Sequence, residues 1–250
     1  MAENAQVYLE QLQGIQPSKT VVFRSALHLV AKLGLTASQI IAFLHFARWV
    51  QSLKIAEWVA SNKLAMKSPD VEVFQMLILG AGGCGKSTLL LVAEVFVRFW
   101  LGSDVARKVA IANSAARKFG GDTMHALLNL PMSYIGERKS LLKGDTLQQF
   151  RKLLDAVKVL FVDECSMVVR AQWYQADLRL KQAKREFIRR FGGMDIVTTG
   201  DLLQLPPVKR ASVCDPMPEK SSEAPTDEAD TENNQKKRKM PAELRHAENL

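Results

Sequence analysis

Apolar side chains recur at helical intervals through residues 25–65, SALHLVAKLGLTASQIIAFLHFARWVQSLKIAEWVASNKLA, with one interruption at Gly34. Steps of three and four residues put them on one helix face, so the stretch predicts a helical N-terminal segment. Gly34 stops a first helix, and Thr36 or Ser38 is a plausible cap for the next. From Val71 the texture changes. VFQMLIL is a short continuous apolar run, as in a buried strand, whereas Lys86–Phe99 is apolar on nearly every side, as in a helix packed against a sheet. A glycine-rich loop lies between them.

The alternation continues. Strands are expected near Lys108–Ala112, at Val157–Val162 and at Asp195–Thr199, and helices around Thr123–Leu130, Leu147–Ala156 and Ala171–Arg190. Repeated β-α units predict an α/β fold, a parallel sheet with helices on both faces. After Val208 the composition turns to Pro, Ser, Glu, Asp, Asn and Lys, too polar to bury a core. The expected organisation is therefore a helical segment at 1–70, an α/β domain at 71–208 and a disordered polar tail at 209–250.

Composition adds limits rather than detail. Of 250 residues, 47% are apolar and 24% charged, ordinary globular values that exclude a collagen-like or wholly disordered chain. Net charge is +8; residues 71–208 hold 19 basic and 13 acidic side chains, so the α/β region carries most of the excess. That balance favours polyanionic partners without naming one. Cys84, Cys165 and Cys214 are odd in number and lack C-x-x-C spacing, which points to neither a disulfide framework nor a zinc site. With no charged-then-apolar leader and no apolar run of membrane-spanning length, a soluble intracellular protein without membrane contact is expected.

Three segments carry chemistry. GAGGCGKST, Gly80, Ala81, Gly82, Gly83, Cys84, Gly85, Lys86, Ser87 and Thr88, fits G-x-x-x-x-G-K-[ST] at every fixed position. Glycines let successive backbone N–H groups curl around phosphates at a helix N-terminus, Lys86 reaches the β- and γ-phosphates, and Ser87 ligates Mg²⁺. In VLFVDECSMV, 159–168, an apolar strand ends in Asp163 and Glu164. There the first carboxylate can hold Mg²⁺ through its water shell and the second can polarise an attacking water. In TTGDLLQLPPV, 198–208, a strand ends at Gly200-Asp201; Asp201 is placed to support the metal site and Gln204 to reach a γ-phosphate.

Taken together, these segments resemble the Pif-type (petite integration frequency) DNA helicases, ATP-driven superfamily-one motors that move 5′ to 3′ on single strands. GAGGCGKST resembles their first motif, VDECSMV their second and GDLLQLPPV their third. ANSAARKFGGDTMHALLNLP, 112–131, is similar to their Ala-rich segment and G-G-x-T-x-H element, and FGGMDIVTTGD, 191–201, to the lead into motif three. The resemblance covers residues 80–208. It implies a RecA-like phosphate-loop NTPase domain that uses ATP and Mg²⁺, binds single-stranded DNA and drives unwinding in DNA repair, recombination or telomere maintenance. Lys86 and Ser87 would hold phosphate and magnesium, Asp163 the metal and Glu164 the water. Gln204 would sense the γ-phosphate and couple it to strand binding, and Thr123 and His125 would lie on the strand-binding side. LTASQIIAF, 35–43, is similar to the element whose glutamine reads adenine, which makes Gln39 the candidate against an ordinary helix-face glutamine.

The chain departs from that pattern twice. Cys84 stands where the family has threonine, and no second α/β domain follows Val208. In the family that domain supplies an arginine to the ATP site and half of the strand-gripping cleft. The expectation is a fragment lacking the second motor domain, whose partner is such a domain supplied in trans; the alternative is a non-motor ATP-binding regulatory or loading module. RAQWYQADLRLKQAKREFIRR, 170–190, reads either as a solvated basic helix face or as a helix along a phosphate backbone. KKRK, 236–239, reads either as a nuclear import signal or as a solvated run.

Overall fold

Among the described residues, five short strands form one sheet: Gln75–Leu79 (β1), Ala106–Ala110 (β2), Asp122–Thr123 (β3), Val159–Asp163 (β4) and Asp195–Gly200 (β5). Their order is β1-β5-β4-β2-β3 and every pairing is parallel. The computed structural model describes residues 2–11, 21–61, 72–131, 141–204, 207 and 212–213. Parallel strands need crossovers, and helices provide them: Lys86–Leu101 (α4), Asn113–Phe119 (α5) and Arg170–Lys184 (α8) among others.

The two-residue period of β4 shows how the layers divide. Val159 and Phe161 join a core with α4 and the N-terminal helices Ala2–Glu10 (α1), Val21–Leu33 (α2) and Ala37–Ser61 (α3). Leu160 and Val162 point the other way, into a core with Met124–Leu128 (α6), Gly144–Leu154 (α7) and α8. A strand buried on both faces reads as a continuous apolar run, which is why β4 was legible. The N-terminal helices pack onto α4 and share its core rather than forming a unit of their own.

At the sheet margin, β1 pairs with β5 alone among the described residues. Met76 and Ile78 pack into the α3/α4 core, but Leu77 and Leu79 on the opposite face are 54% and 46% exposed. Deeper in, Glu94 of α4 is buried and answered by two cations, Arg98 at 2.9 Å and Lys108 of β2 at 2.7 Å. A buried carboxylate left single would be costly, so this triad ties helix to sheet.

Several elements differ from the sequence expectation. Helix α8 ends at Lys184 rather than near Arg190, because Arg185 turns into the left-handed region and Asp177 catches the Phe191 N–H at 2.6 Å. Helix α5 and strand β3, too short to show periodicity, were not expected. Ser212 and Val213 fall within the stretch read as a polar tail, yet Ser212 is buried, bridges Val169 and donates to the Ser166 carbonyl at 2.6 Å. Residues 214–250, including KKRK at 236–239, lie outside the described residues. Among the described residues no helix is long and apolar enough to cross a membrane.

Candidate functional site

All five strands run the same way, so their C-terminal ends share one edge, and the three chemical segments emerge there. The phosphate loop follows β1 and leads straight into α4. Gly85, at the start of that helix, has φ +81°, and a Cβ there would come within 2.6 Å of the Gln39 amide nitrogen. Glycine suits the left-handed φ, and a side chain there would push the Gln39 amide off the loop. Lys86 Nζ donates to the carbonyls of Gly80 at 2.6 Å and Ala81 at 2.8 Å, which curls its side chain back along the loop. Cys84 is exposed, with its sulfur 3.8 Å from Lys86 Nζ.

The loop and the acidic strand end meet directly. Ser87 Oγ donates to Asp163 Oδ2 at 2.7 Å, across 76 residues of sequence. The other Asp163 oxygen accepts from Thr199 Oγ1 at 2.5 Å and from the Glu164 N–H at 2.9 Å. Asp163 is buried, and these three donors hold its carboxylate in one orientation. Glu164 stands beside it with φ 56°, a left-handed conformation unusual for a non-glycine residue and a frequent mark of functional sites. Burial, and then the neighbouring Asp163 carboxylate, push the Glu164 carboxyl above its ordinary range, while Lys118 and Lys86 pull it down. A half-buried carboxylate held close to a phosphate loop is suited to polarising water.

Gln39 is brought to the site as well. Its Nε2 donates to the Cys84 carbonyl at 3.1 Å, and its Oε1 accepts from the Thr36 N–H at 3.0 Å. Thr36 Oγ1 in turn accepts from the Gln39 N–H at 3.4 Å. Thr-x-x-Gln is thus a reciprocal cap at the start of α3, and the same glutamine props the phosphate loop.

Asp201 lies beside the phosphate loop, whereas Gln204 does not reach it. Asp201 is buried, but its Oδ1 accepts from the Leu203 N–H at 2.9 Å, so it shapes its own turn; its Oδ2 lies 3.7 Å from where a Gly82 Cβ would sit. Gln204 is exposed, and only its backbone N–H, bonded to the Asp201 carbonyl at 3.2 Å, ties it in; no described polar contact brings its side chain to Lys86 or Asp163.

Thr123 and His125 occupy the same strand-end edge but the far margin of the sheet. Four strand spacings of about 4.8 Å separate β1 from β3, or about 19 Å. Thr123 Oγ1 caps α6 by accepting from the Ala126 N–H at 3.2 Å. His125 Nε2 lies 3.3 Å from the Gln172 amide nitrogen of α8, and burial pushes its imidazole below the ordinary range. Sequence reasoning missed Thr199 and the loop-propping role of Gln39. Thr199, two residues before Asp201 at the end of its strand, offered only a weak signal beside the equally polar Thr198; nothing local places Gln39 against Cys84.

Hard cations take oxygen ligands, and Mg²⁺ keeps most of its waters and uses one or two protein oxygens with the substrate phosphates. Ser87 and Asp163, 2.7 Å apart, fit that requirement. Among the described residues no cluster of three or more His, Cys, Asp and Glu suits a different metal.

The sequence profile of the PIF1-like helicases matches residues 63–220. An ATP-dependent DNA helicase Pif1 of Psychrobacter is 30% identical over 138 residues, which are 53% of this chain and 20% of that protein. The ATP-dependent DNA helicase RRM3 of Saccharomyces cerevisiae is 32% identical over 139 residues, 52% of this chain and 18% of that one. An unliganded Pif1 structure from Bacteroides is 26% identical with a TM-score of 0.45, covering 64% of this chain and 33% of the other. The chain thus spans about a fifth of the length of these curated relatives. Its parallel sheet, with the phosphate loop after β1 and the Asp-Glu pair after β4, is RecA-like. With the profile spanning more than half of its residues, the chain belongs to the PIF1-like helicase family.

Proposed function

We propose that this chain is the nucleotide-binding half of an ATP-driven DNA helicase, hydrolysing ATP to move 5′ to 3′ along single-stranded DNA. The Ser87–Asp163 hydrogen bond carries the reading, because it joins the loop that holds phosphate to the strand end that holds acid. Gly80 to Thr88 cradle the phosphates, with Lys86 on the β- and γ-oxygens; Lys86 must swing from the Gly80 and Ala81 carbonyls to reach them. Ser87 and Asp163 would hold Mg²⁺, which when bound would supply positive charge against the phosphates. Glu164 orients the attacking water and accepts its proton. Gln39 sets the loop through Cys84, and an adenine contact requires that bond to open. Gln204, exposed on the loop after β5, turns inward to sense the γ-phosphate. Thr123 and His125 face the DNA strand. The 5′-to-3′ polarity and a setting in DNA repair, recombination or telomere maintenance follow from the resemblance; nuclear import follows from the basic run KKRK at 236–239, whose other reading is a solvated run.

Translocation needs two domains closing and opening around ATP. A second motor domain, acting in trans in this proposal, would supply an arginine to the ATP site, a contribution of about 10³- to 10⁵-fold in phosphate-loop enzymes. The exposed Gln204, whose side chain has no described polar contact with Lys86 or Asp163, favours one second reading, a module that binds ATP without unwinding. Steady-state ATP hydrolysis by the 250-residue chain, with and without single-stranded DNA and with a Lys86→Ala control, tests the proposal. Slow turnover that DNA stimulates and the control abolishes is expected. Nucleotide binding with no turnover under either condition favours the non-motor module.

A further inference from the structure

The basic run at 170–190 divides in the structure. Arg179 is 2% exposed, its Nε donating to the Asn129 carbonyl at 3.2 Å, and Lys184 Nζ donates to the carbonyls of Leu154 and Asp155 at 2.6 and 3.0 Å. These cations hold the domain together and are unavailable to a partner. Beyond Lys184 the pattern reverses. Glu186 folds its carboxylate onto the N–H groups of Ile188 at 2.8 Å and Arg189 at 3.3 Å, closing a tight turn. Those two backbone bonds hold its carboxyl below the ordinary range, with the nearby Arg189 charge adding to the effect.

The turn pushes Phe187 and Ile188 outward, 57% and 95% exposed. Arg185, Arg189 and Arg190 flank them, all exposed, and none makes a side-chain hydrogen bond or ion pair among the described residues. An ordered turn thus displays an aromatic ring, an aliphatic tip and three guanidinium groups together. Its location adds to this: the turn connects α8 to the start of β5, so it sits at the N-terminal edge of the sheet, opposite the phosphate loop. There it borders a cavity of about 250 Å³, lined by Leu53, Val157, Met194, Lys158, Asp195 and Arg189.

We infer that the 185–190 turn is a second contact for single-stranded DNA, separate from the Thr123/His125 edge: Arg185, Arg189 and Arg190 hold phosphates and Phe187 stacks a base. This rests on the reading of the chain as a strand-binding motor half. Guanidinium groups match phosphate bidentately, and an aromatic face exposed among them is how sequence-tolerant single-strand surfaces are built. The cavity wall carries both signs, Lys158, Lys184 and Arg189 together with Glu72 and Asp195; its apolar part takes a base while the Arg189 rim takes the backbone.

Fluorescence anisotropy of a labelled oligo-dT with the 250-residue chain, titrated over salt, tests the inference. Each phosphate neutralised on a single strand contributes about −0.7 to the slope of log affinity against log salt. Replacing Arg185, Arg189 and Arg190 together by Gln is expected to make that slope shallower by about 2. Phe187→Ala is expected to weaken binding about 5- to 100-fold with the slope unchanged. Retained ATP affinity in both variants, read with a fluorescent nucleotide, shows that the domain is folded. If oligo-dT binds the wild-type chain and neither variant changes affinity or slope, the inference is overturned while the motor reading stands. Loss in these variants of binding to an acidic amphipathic peptide, with DNA binding unchanged, assigns the turn to a protein partner and likewise overturns it. A wild-type chain that binds ATP but no oligo-dT at any salt overturns both.

Discussion

At the residue scale the site depends on how Asp163 is held. Three donors, the Ser87 and Thr199 hydroxyls and the Glu164 N–H, converge on one buried carboxylate, so its neighbour Glu164 is fixed although its own side chain is only half-buried. Glu164→Gln keeps shape and removes the proton acceptor. ATP affinity should stay within about twofold while turnover falls about 10²- to 10⁴-fold; single-turnover kinetics beside equilibrium nucleotide binding measures both, and unchanged turnover removes Glu164 from catalysis. Because burial and Asp163 raise the Glu164 carboxyl, the rate should climb with pH through a point above the ordinary glutamate range. Cys84 gives a second prediction at this scale. Its thiol is exposed in the phosphate loop, so a maleimide adduct should block ATP binding, whereas Cys84→Thr should bind ATP normally and resist the reagent.

At the element scale, β5 begins with a buried carboxylate. Asp195 Oδ1 accepts from the Phe74 N–H at 2.6 Å, which anchors the chain entering β1, yet burial raises its pKa to about 7. A carboxyl raised in the folded state contributes stability that is complete below its unfolded value and lost as pH rises through the folded one. The chain should therefore be more stable at pH 5.5 than at pH 8.5 by about 2 kcal/mol, the part of a roughly three-unit shift that is lost between those pH values. Urea midpoints at the two pH values measure this. Asp195→Asn, which keeps the acceptor for Phe74, should flatten the difference; a slope that survives the substitution has another origin. Element ends were the least legible part of the chain. Periodicity in α8 continues past Lys184, and only the left-handed turn at Arg185 and the Asp177 bond to Phe191 stop it there.

At the scale of the whole molecule, the strand carrying the phosphate loop lies at the margin of the sheet among the described residues. Leu77 and Leu79 are half exposed on one face of β1, while every residue of β4 and β5 is buried. Unpaired apolar strand edges favour association. Light scattering against concentration should show self-association of the wild-type chain. Leu77→Lys with Leu79→Lys should reduce it and change unfolding free energy by less than about 0.5 kcal/mol, the ordinary range for exposed positions. A large loss of stability instead would mean that these side chains are packed in solution.

The phosphate loop, the Asp163-Glu164 pair and the alternation of strands and helices were readable from residue order, because each is written in contiguous residues and short periods. Strand order was not, since a parallel crossover of given length can land on either side of its predecessor; β1 at the margin and β3 at the opposite one are outcomes of packing. Gln39 meets Cys84 across 45 residues of sequence and Thr199 meets Asp163 across 36, contacts that exist only once α3 and β5 are docked. The basic run at 170–190 makes the same point. Its charges were visible in the chain, but burial of Arg179 and the turn closed by Glu186 decided which of them face solvent. Local chemistry follows from neighbours along the chain, whereas exposure and cross-strand contacts follow from which surfaces the folded core covers.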